Sequence, residues 1–260
     1  MKIVVCIKQV PDTNEVKLDP KTNRLIRDGV PSIINHDDKS GIEAALQLKE
    51  KVGGTVTVVC MGPPQADVAL REALAMGCDD AYLLSAREFG GSDTCATAII
   101  ISTALKKIGY DLVITGRQAI DGDTAQVGPQ IAEKLDLPQV TYVEEFEIAD
   151  NLKDITVKRQ MEDGYELIGL QTPCMLTAIK ELNDPRYMNM KGIFGEKDIK
   201  IWNAKDIEVD LNKVGLEASP TNVFRSFTPA PKAPGQKVEG DTENEQAKNL
   251  LVQLRGKHII

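Results

Sequence analysis

Residues 55–84 read TVTVVCMGPPQADVALREALAMGCDDAYLL, and this stretch decides the fold. Thr55 to Met61 is a short apolar run rich in β-branched residues, of the length of a strand. It breaks at Gly62-Pro63-Pro64, where the prolines suit a first helical turn that needs no N–H donors. ADVALREALAM then reads as a helix, and Gly77 is placed to end it in the left-handed conformation that glycine tolerates. Ala81 to Leu84 returns to strand. Strand, turn, helix and strand in that order make the βαβ unit of a parallel sheet.

The same rhythm recurs on either side of this unit. Lys2 to Ile7 is a strand. Ser40 to Lys51 carries Ile42, Ala45, Leu46 and Leu48 at helical spacing, and Gly53-Gly54 stops it. Asp93 to Ile108 is a third helix closed by Gly109, and Asp111 to Thr115 a fourth strand that runs into the loop and helix GRQAIDGDTAQVGPQIAEKL. After Pro138 the period changes to two: VTYVEEFEI, DITVKRQ and YELIGLQ alternate apolar with polar, with turns at Asp150-Asn151 and Asp163-Gly164, which predicts an antiparallel extension of the sheet. Met175 to Ile179 adds a strand. From Asn183 onward Pro185, Pro220, Pro229, Pro231 and Pro234 interrupt a polar segment, and Glu243 to Lys257 places Ala247, Leu250, Leu251 and Leu254 on one face of a last helix. The expected architecture is an α/β domain over residues 1–182, with a doubly wound and mostly parallel sheet, followed by a C-terminal arm over 183–260 that wraps a partner.

Composition bounds the function. With 39 acidic against 31 basic residues the net charge is −8, which argues against nucleic acid as a partner. A hydrophobic share of 42% excludes wholesale disorder. No apolar run approaches the roughly 20 residues of a membrane span, and the apolar run between Lys2 and Lys8 is too short for a secretory signal. The five cysteines have no C-x-x-C spacing, so neither a disulfide framework nor a metal site is expected, and a reducing cytoplasmic setting is. Five Tyr, five Phe and one Trp supply little stacking surface of the chain's own. A flat cofactor would need backbone and a partner to hold it.

Parallel sheets bind ligands beyond the carboxyl ends of their strands, which singles out three loops: Cys6 to Asp12, Met61-Gly62-Pro63, and Gly116 to Val127. Neither G-x-G-x-x-G nor a Walker A sequence is present. In the third loop Asp123 and Gln126 have the spacing of a capping box, leaving first-turn N–H groups, Thr124 and Arg117 to hold phosphate oxygens. Pro129 complicates a helix that begins so early, and an acidic helix-capping loop satisfies the same spacing. His36 reads as a capping or surface residue and His258 lies in the tail. The acidic pairs Asp37-Asp38 and Glu144-Glu145 read as solvated surface, and Cys6 and Cys60 as small buried hydrophobes. No Ser/His/Asp or Cys/His arrangement can be proposed, since there are only two histidines and neither neighbours a strained nucleophile turn.

Four collinear stretches carry a resemblance: VCIKQVPDT, MGPPQADVALREALAMGCDDAYLL, TGRQAIDGDTAQVGPQIAEKLDLPQ and LNDPRYMNMKGIF. Over essentially its whole length the sequence resembles the beta subunits of electron-transfer flavoproteins. The resemblance implies a nucleotide-binding domain that pairs with an alpha subunit, with nucleotide contacts at Cys6, at Asn35, His36, Asp37 and Asp38, at Met61 and Gly62, and at Gly116, Arg117, Gln118, Ala119, Ile120, Asp121, Gly122, Asp123, Thr124, Ala125, Gln126 and Val127. Ordinary members hold AMP there, with a loop like D-D-D-x-N-Q-T. The form DGDTAQV, with the smaller Gly122 and Ala125, looks like that of the bifurcating branch, in which FAD replaces AMP. That branch implies NADH as electron donor, with ferredoxin or flavodoxin and a flavin-dependent dehydrogenase as acceptors; the runner-up is a non-bifurcating subunit with structural AMP. Residues 183–196 match the family's recognition loop, with Met190 at the anchor position for the dehydrogenase and Ile193 and Phe194 nearby. The terminal helix would lie on the alpha subunit. A free-standing nucleotide sensor of the universal-stress type shares the βαβ rhythm but lacks such an arm.

Overall fold

The computed structural model describes residues 1–12, 31–224 and 232–260; Pro229 and Pro231 lie outside them. The chain forms two compact units, Met1–Phe224 and Arg225–Ile260. The strands of the first are β1 (Lys2–Ile7), β2 (Gln9–Pro11), β3 (Ser32–Ile34), β4 (Thr55–Met61), β5 (Asp80–Leu84), β6 (Leu112–Gly116), β7 (Gln139–Ile148), β8 (Asp154–Met161), β9 (Gly164–Gln171), β10 (Cys174–Ala178) and β11 (Ile199–Trp202). Its helices are α1 (His36–Val52), α2 (Asp67–Met76), α3 (Thr94–Ile108), α4 (Val127–Leu135), α5 (Met190–Ile193) and α6 (Ala204–Ile207). The second unit carries α7 (Glu243–Gly256), capped by the Thr242 hydroxyl and without a buried residue.

A nine-stranded sheet has the order β11-β5-β4-β1-β6-β10-β7-β8-β9. It is parallel from β11 to β7 and antiparallel from β7 to β9, so the doubly wound reading and the antiparallel extension both hold. After Lys2 every residue of β1 is buried. Ile3, Val5 and Ile7 pack with α1 and α2 residues such as Ile42 and Leu70, while Val4 and Cys6 face Ile100, Leu105 and Ile131 of α3 and α4. Burial on both faces explains the unbroken apolar run. On β8 only Ile155 and Val157 are buried while Asp154 and Thr156 are exposed, which is the alternation of a sheet covered on one side.

Chain order reverses at β1, which has β4 on one side and β6 on the other. The first helix begins at His36, ahead of the apolar pattern that starts at Ile42, because its opening turn is polar yet faces inward. Asp37 and Asp38 are both buried, which corrects the reading of this pair as solvated surface. Asp38 joins the two strand ends at the switch: Oδ2 accepts from the Lys8 N–H at 2.7 Å and Oδ1 from the Gly116 N–H at 2.9 Å. A Cβ on residue 116 would lie 2.2 Å from Asp38 Oδ1, so this strand end must be glycine. Burial pushes the Asp38 carboxyl up to about 7 against the pull of the N–H groups of Lys8, Asn35 and Gly116.

Where β10 meets β7, Leu176 faces Val140 and Ala178 faces Val143, so β7 carries one extra residue, a β-bulge. Tyr142 sits in it with φ 59°, and its N–H donates to Thr177 Oγ1 at 3.2 Å. An aromatic residue in left-handed backbone is a strained position.

Residues 183–224 run back over the first unit. The Arg186 guanidinium spans Glu43 (2.8 and 3.0 Å) and Glu50 (2.5 and 3.1 Å) of α1. The Asn189 N–H and Nδ2 both donate to the Ala75 carbonyl of α2, at 3.0 and 2.9 Å. β11 then adds to β5 at the sheet edge.

Two expectations follow for stability. Replacing Arg186 by Met strands the buried Glu43 carboxylate without its cation, and urea unfolding should show a loss of about 3 kcal/mol. For Asp38→Asn, one of two backbone donors meets an amide N–H₂ in place of an acceptor, at a cost of about 2 kcal/mol. A carboxyl whose pKa is raised by folding contributes stability that is lost as pH rises from about 4 to about 7. The gap between wild type and Asp38→Asn should therefore narrow across that range in urea midpoints measured at each pH.

Candidate nucleotide-binding cleft

A cleft of about 950 Å³ opens at the carboxyl end of the sheet, beside the switch. The ends of β1, β4, β5 and β6 and the loops after them form its walls. Of the residues expected to contact a nucleotide, Cys6, Asp38, Met61, Gly62, Gly116, Arg117, Gln118, Ala119, Gly122, Asp123, Thr124, Ala125, Gln126 and Val127 line it. Asn35, His36, Asp37, Ile120 and Asp121 do not.

Most of this second group has a structural task instead. Asn35 is buried; its Nδ2 donates to the Gln118 carbonyl at 2.8 Å, and its Oδ1 accepts from the Ile120 N–H at 3.1 Å. One amide thus fixes both strands of the turn that opens the long loop. Asp37 Oδ2 lies 3.5 Å from Arg117 Nε. Burial raises the Asp37 carboxyl, and the Arg117 charge opposes that rise. Asp121 pairs with Lys8 Nζ at 2.6 Å, which ties the loop after β6 to the loop after β1. His36 and Ile120 are exposed.

The predicted capping box between Asp123 and Gln126 is not formed. The Gln118 side-chain amide takes Asp123 Oδ1, and Gln126 Oε1 accepts from the Thr94 hydroxyl at 2.9 Å. Gln126 is instead the N-cap residue, and the helix begins at Val127. Pro129 is therefore its third residue, where no N–H is needed, and the apparent conflict with an early start disappears. Asp123 and Ala125 take positive φ, 52° and 51°, and fold the backbone tightly ahead of the helix. Among the described residues the N–H groups of Thr124, Ala125, Gln126, Val127 and Gly128 donate to no acceptor. Five free donors at a helix N-terminus form an anion-binding surface.

Small residues let a ligand approach. Nothing lies closer to a Cβ built on Gly122 than Lys8 Nζ at 4.0 Å, whereas Gly128 lets α4 pack on the sheet, since a Cβ there would meet Thr115 Oγ1 at 2.7 Å. Cys6 on the floor is buried, and burial followed by the Asp38 charge drives its thiol well above the ordinary range, so it stays protonated and serves as packing. The far wall of the cleft, Ser85 to Thr94 with Thr97, was not foreseen. It carries no loop motif, and its only sequence signal is its position after the third strand of the βαβ series. Among the described residues no cluster of His, Cys, Asp or Glu could hold a metal ion, and no helix is long and apolar enough to cross a membrane.

A separate exposed surface lies on residues 187–194. With Arg186 and Asn189 fastened to α1 and α2, Met190, Ile193 and Phe194 point outward, 68%, 48% and 76% exposed. Tyr187 and Met188 extend the same apolar surface beyond the residues that the resemblance singles out.

Comparison with known proteins places this architecture. Residues 22–207 match the model of the electron transfer flavoprotein domain. Over the full length of both chains the sequence is 57% identical to the electron transfer flavoprotein subunit beta of Thermoanaerobacterium thermosaccharolyticum. It is 58% identical, again over both full lengths, to the caffeyl-CoA reductase-Etf complex subunit CarD of Acetobacterium woodii. The acryloyl-CoA reductase electron transfer subunit gamma of Anaerotignum propionicum is 48% identical over the whole of both chains. A doubly wound sheet with a nucleotide-sized cleft at its switch, matched along its whole length by such relatives, makes the chain a member of the electron transfer flavoprotein family, among its beta subunits.

Proposed function

We propose that this chain binds FAD in the cleft and works, paired with an alpha subunit, as the beta subunit of a bifurcating electron transfer flavoprotein. In this reading NADH is the donor, and ferredoxin or flavodoxin and a flavin-dependent dehydrogenase are the acceptors. The observation that carries it is the size of the cleft beside the free N–H groups of α4. At about 950 Å³ it stands near the top of the roughly 300–1,000 Å³ that drug-sized ligands occupy, more than a mononucleotide needs. FAD bound there would supply the exchange between two-electron and one-electron chemistry.

The chain's own residues do the holding. The N–H groups from Thr124 to Gly128 face phosphate oxygens, with the Thr124 hydroxyl as a further donor. Gly122, where a Cβ would meet no atom closer than 4.0 Å, leaves open the path of the cofactor. Asn35 and Asp38 fix the loop and strand ends so that these donors are aimed before the ligand arrives, which lowers the ordering cost of binding. Two relatives whose names tie them to acyl-CoA reductases support a dehydrogenase partner of that kind. The apolar face around Met190 would dock it, and the arm with α7 would lie on the alpha subunit.

Counting cofactors in the purified heterodimer tests the reading. Two FAD per dimer are expected; one FAD with one AMP would replace it by the structural-AMP alternative. Met190→Ala should slow electron delivery to the dehydrogenase at least severalfold while leaving flavin content and dye-linked NADH oxidation as in the wild type. A loss of flavin in that variant would refute the docking role.

A further inference from the structure

The Arg117 guanidinium is an unfinished contact. Its carbon lies 5.4 Å from the centre of the Tyr142 ring, and Nε is 3.5 Å from Asp37 Oδ2. Yet none of its nitrogens donates a hydrogen bond among the described residues, and Nε is buried. A half-buried cation so placed, at the edge of the cleft, has donors waiting for an acceptor that the chain does not supply.

The feature beneath it is the bulge. Tyr142 is the extra residue of β7, held at φ 59°, and Thr177 Oγ1 satisfies the N–H that the bulge takes out of the ladder. Bulges beside sites re-aim a side chain, and strained backbone persists where the surroundings over-determine it. Here the re-aimed ring lies under the first side chain after β6.

We propose that Tyr142 is a positioning residue: its bulge and left-handed backbone hold the Arg117 guanidinium, with Asp37, so that Arg117 can donate to the nucleotide bound in the cleft. Arg117 makes the contact and Tyr142 acts only through it. This rests on the cleft being the FAD site.

The test uses the chain co-expressed with its alpha subunit, stripped of nucleotide and titrated with FAD by calorimetry. Tyr142→Gly removes the ring and suits the left-handed backbone, so its urea midpoint should stay at or near that of the wild type while FAD affinity falls about tenfold. Tyr142→Phe keeps an aromatic face and should restore the affinity. In an Arg117→Met background, Tyr142→Gly should add no further loss. Wild-type affinity in Tyr142→Gly, or an undiminished tenfold loss in the Arg117→Met background, would overturn the proposal. A wild type that takes up only one FAD per heterodimer would instead overturn the reading of the cleft, and the proposal with it.

Discussion

A parallel sheet that reverses its winding order leaves two neighbouring strand ends, here β1 and β6, whose chains depart in opposite directions. Their terminal N–H groups have no ladder partner beyond that point, and the site must be built there. Asp38 resolves the conflict by placing one carboxylate between them, each oxygen on one N–H. The arrangement requires a helix to start where its second acid can turn inward, which fixes the place of α1. It also requires glycine at 116, where any side chain would overlap that carboxylate. A buried acid is an expensive joint, and its carboxyl is accordingly pushed up to about 7.

From this joint the loops are tied in sequence. Asn35, three residues before Asp38, clips the turn at Gln118 and Ile120. Lys8, whose N–H the carboxylate holds, sends its ammonium to Asp121. The long loop is thereby anchored by polar side chains along its first half, and its second half is left with free donors at the start of α4. Residues that the family resemblance groups as nucleotide contacts thus divide into those that shape the cleft and those that face into it.

The fold was largely legible in the sequence because its cues are local. Apolar runs buried on both faces, glycines at helix ends and period-two strands after Pro138 each mark one element. The edge strand β11 was not, since IKIW is four residues in a polar context and gains strand structure only by pairing with β5. The direction of the first turn of α1 was hidden for a related reason: two adjacent acids look solvated until the strand ends that they serve are brought together. Spacing also misled at Asp123 and Gln126. It suggests a capping box, but Gln118, five residues before Asp123, and Thr94, at the start of another helix, compete for the same side chains. The bulge at Tyr142 leaves no trace in the alternation, because an inserted residue is visible only against the partner strand.

Helix α2 joins the two working surfaces. It follows directly from the glycine-proline turn at the lip of the cleft, and its last turn offers the Ala75 carbonyl on which Asn189 hangs. Ten residues of helix amount to about 15 Å, and neither end has slack. The chain therefore behaves as a spacer of set length between the cleft and the exposed methionine, and any change in that separation must come from movement of other bodies around it.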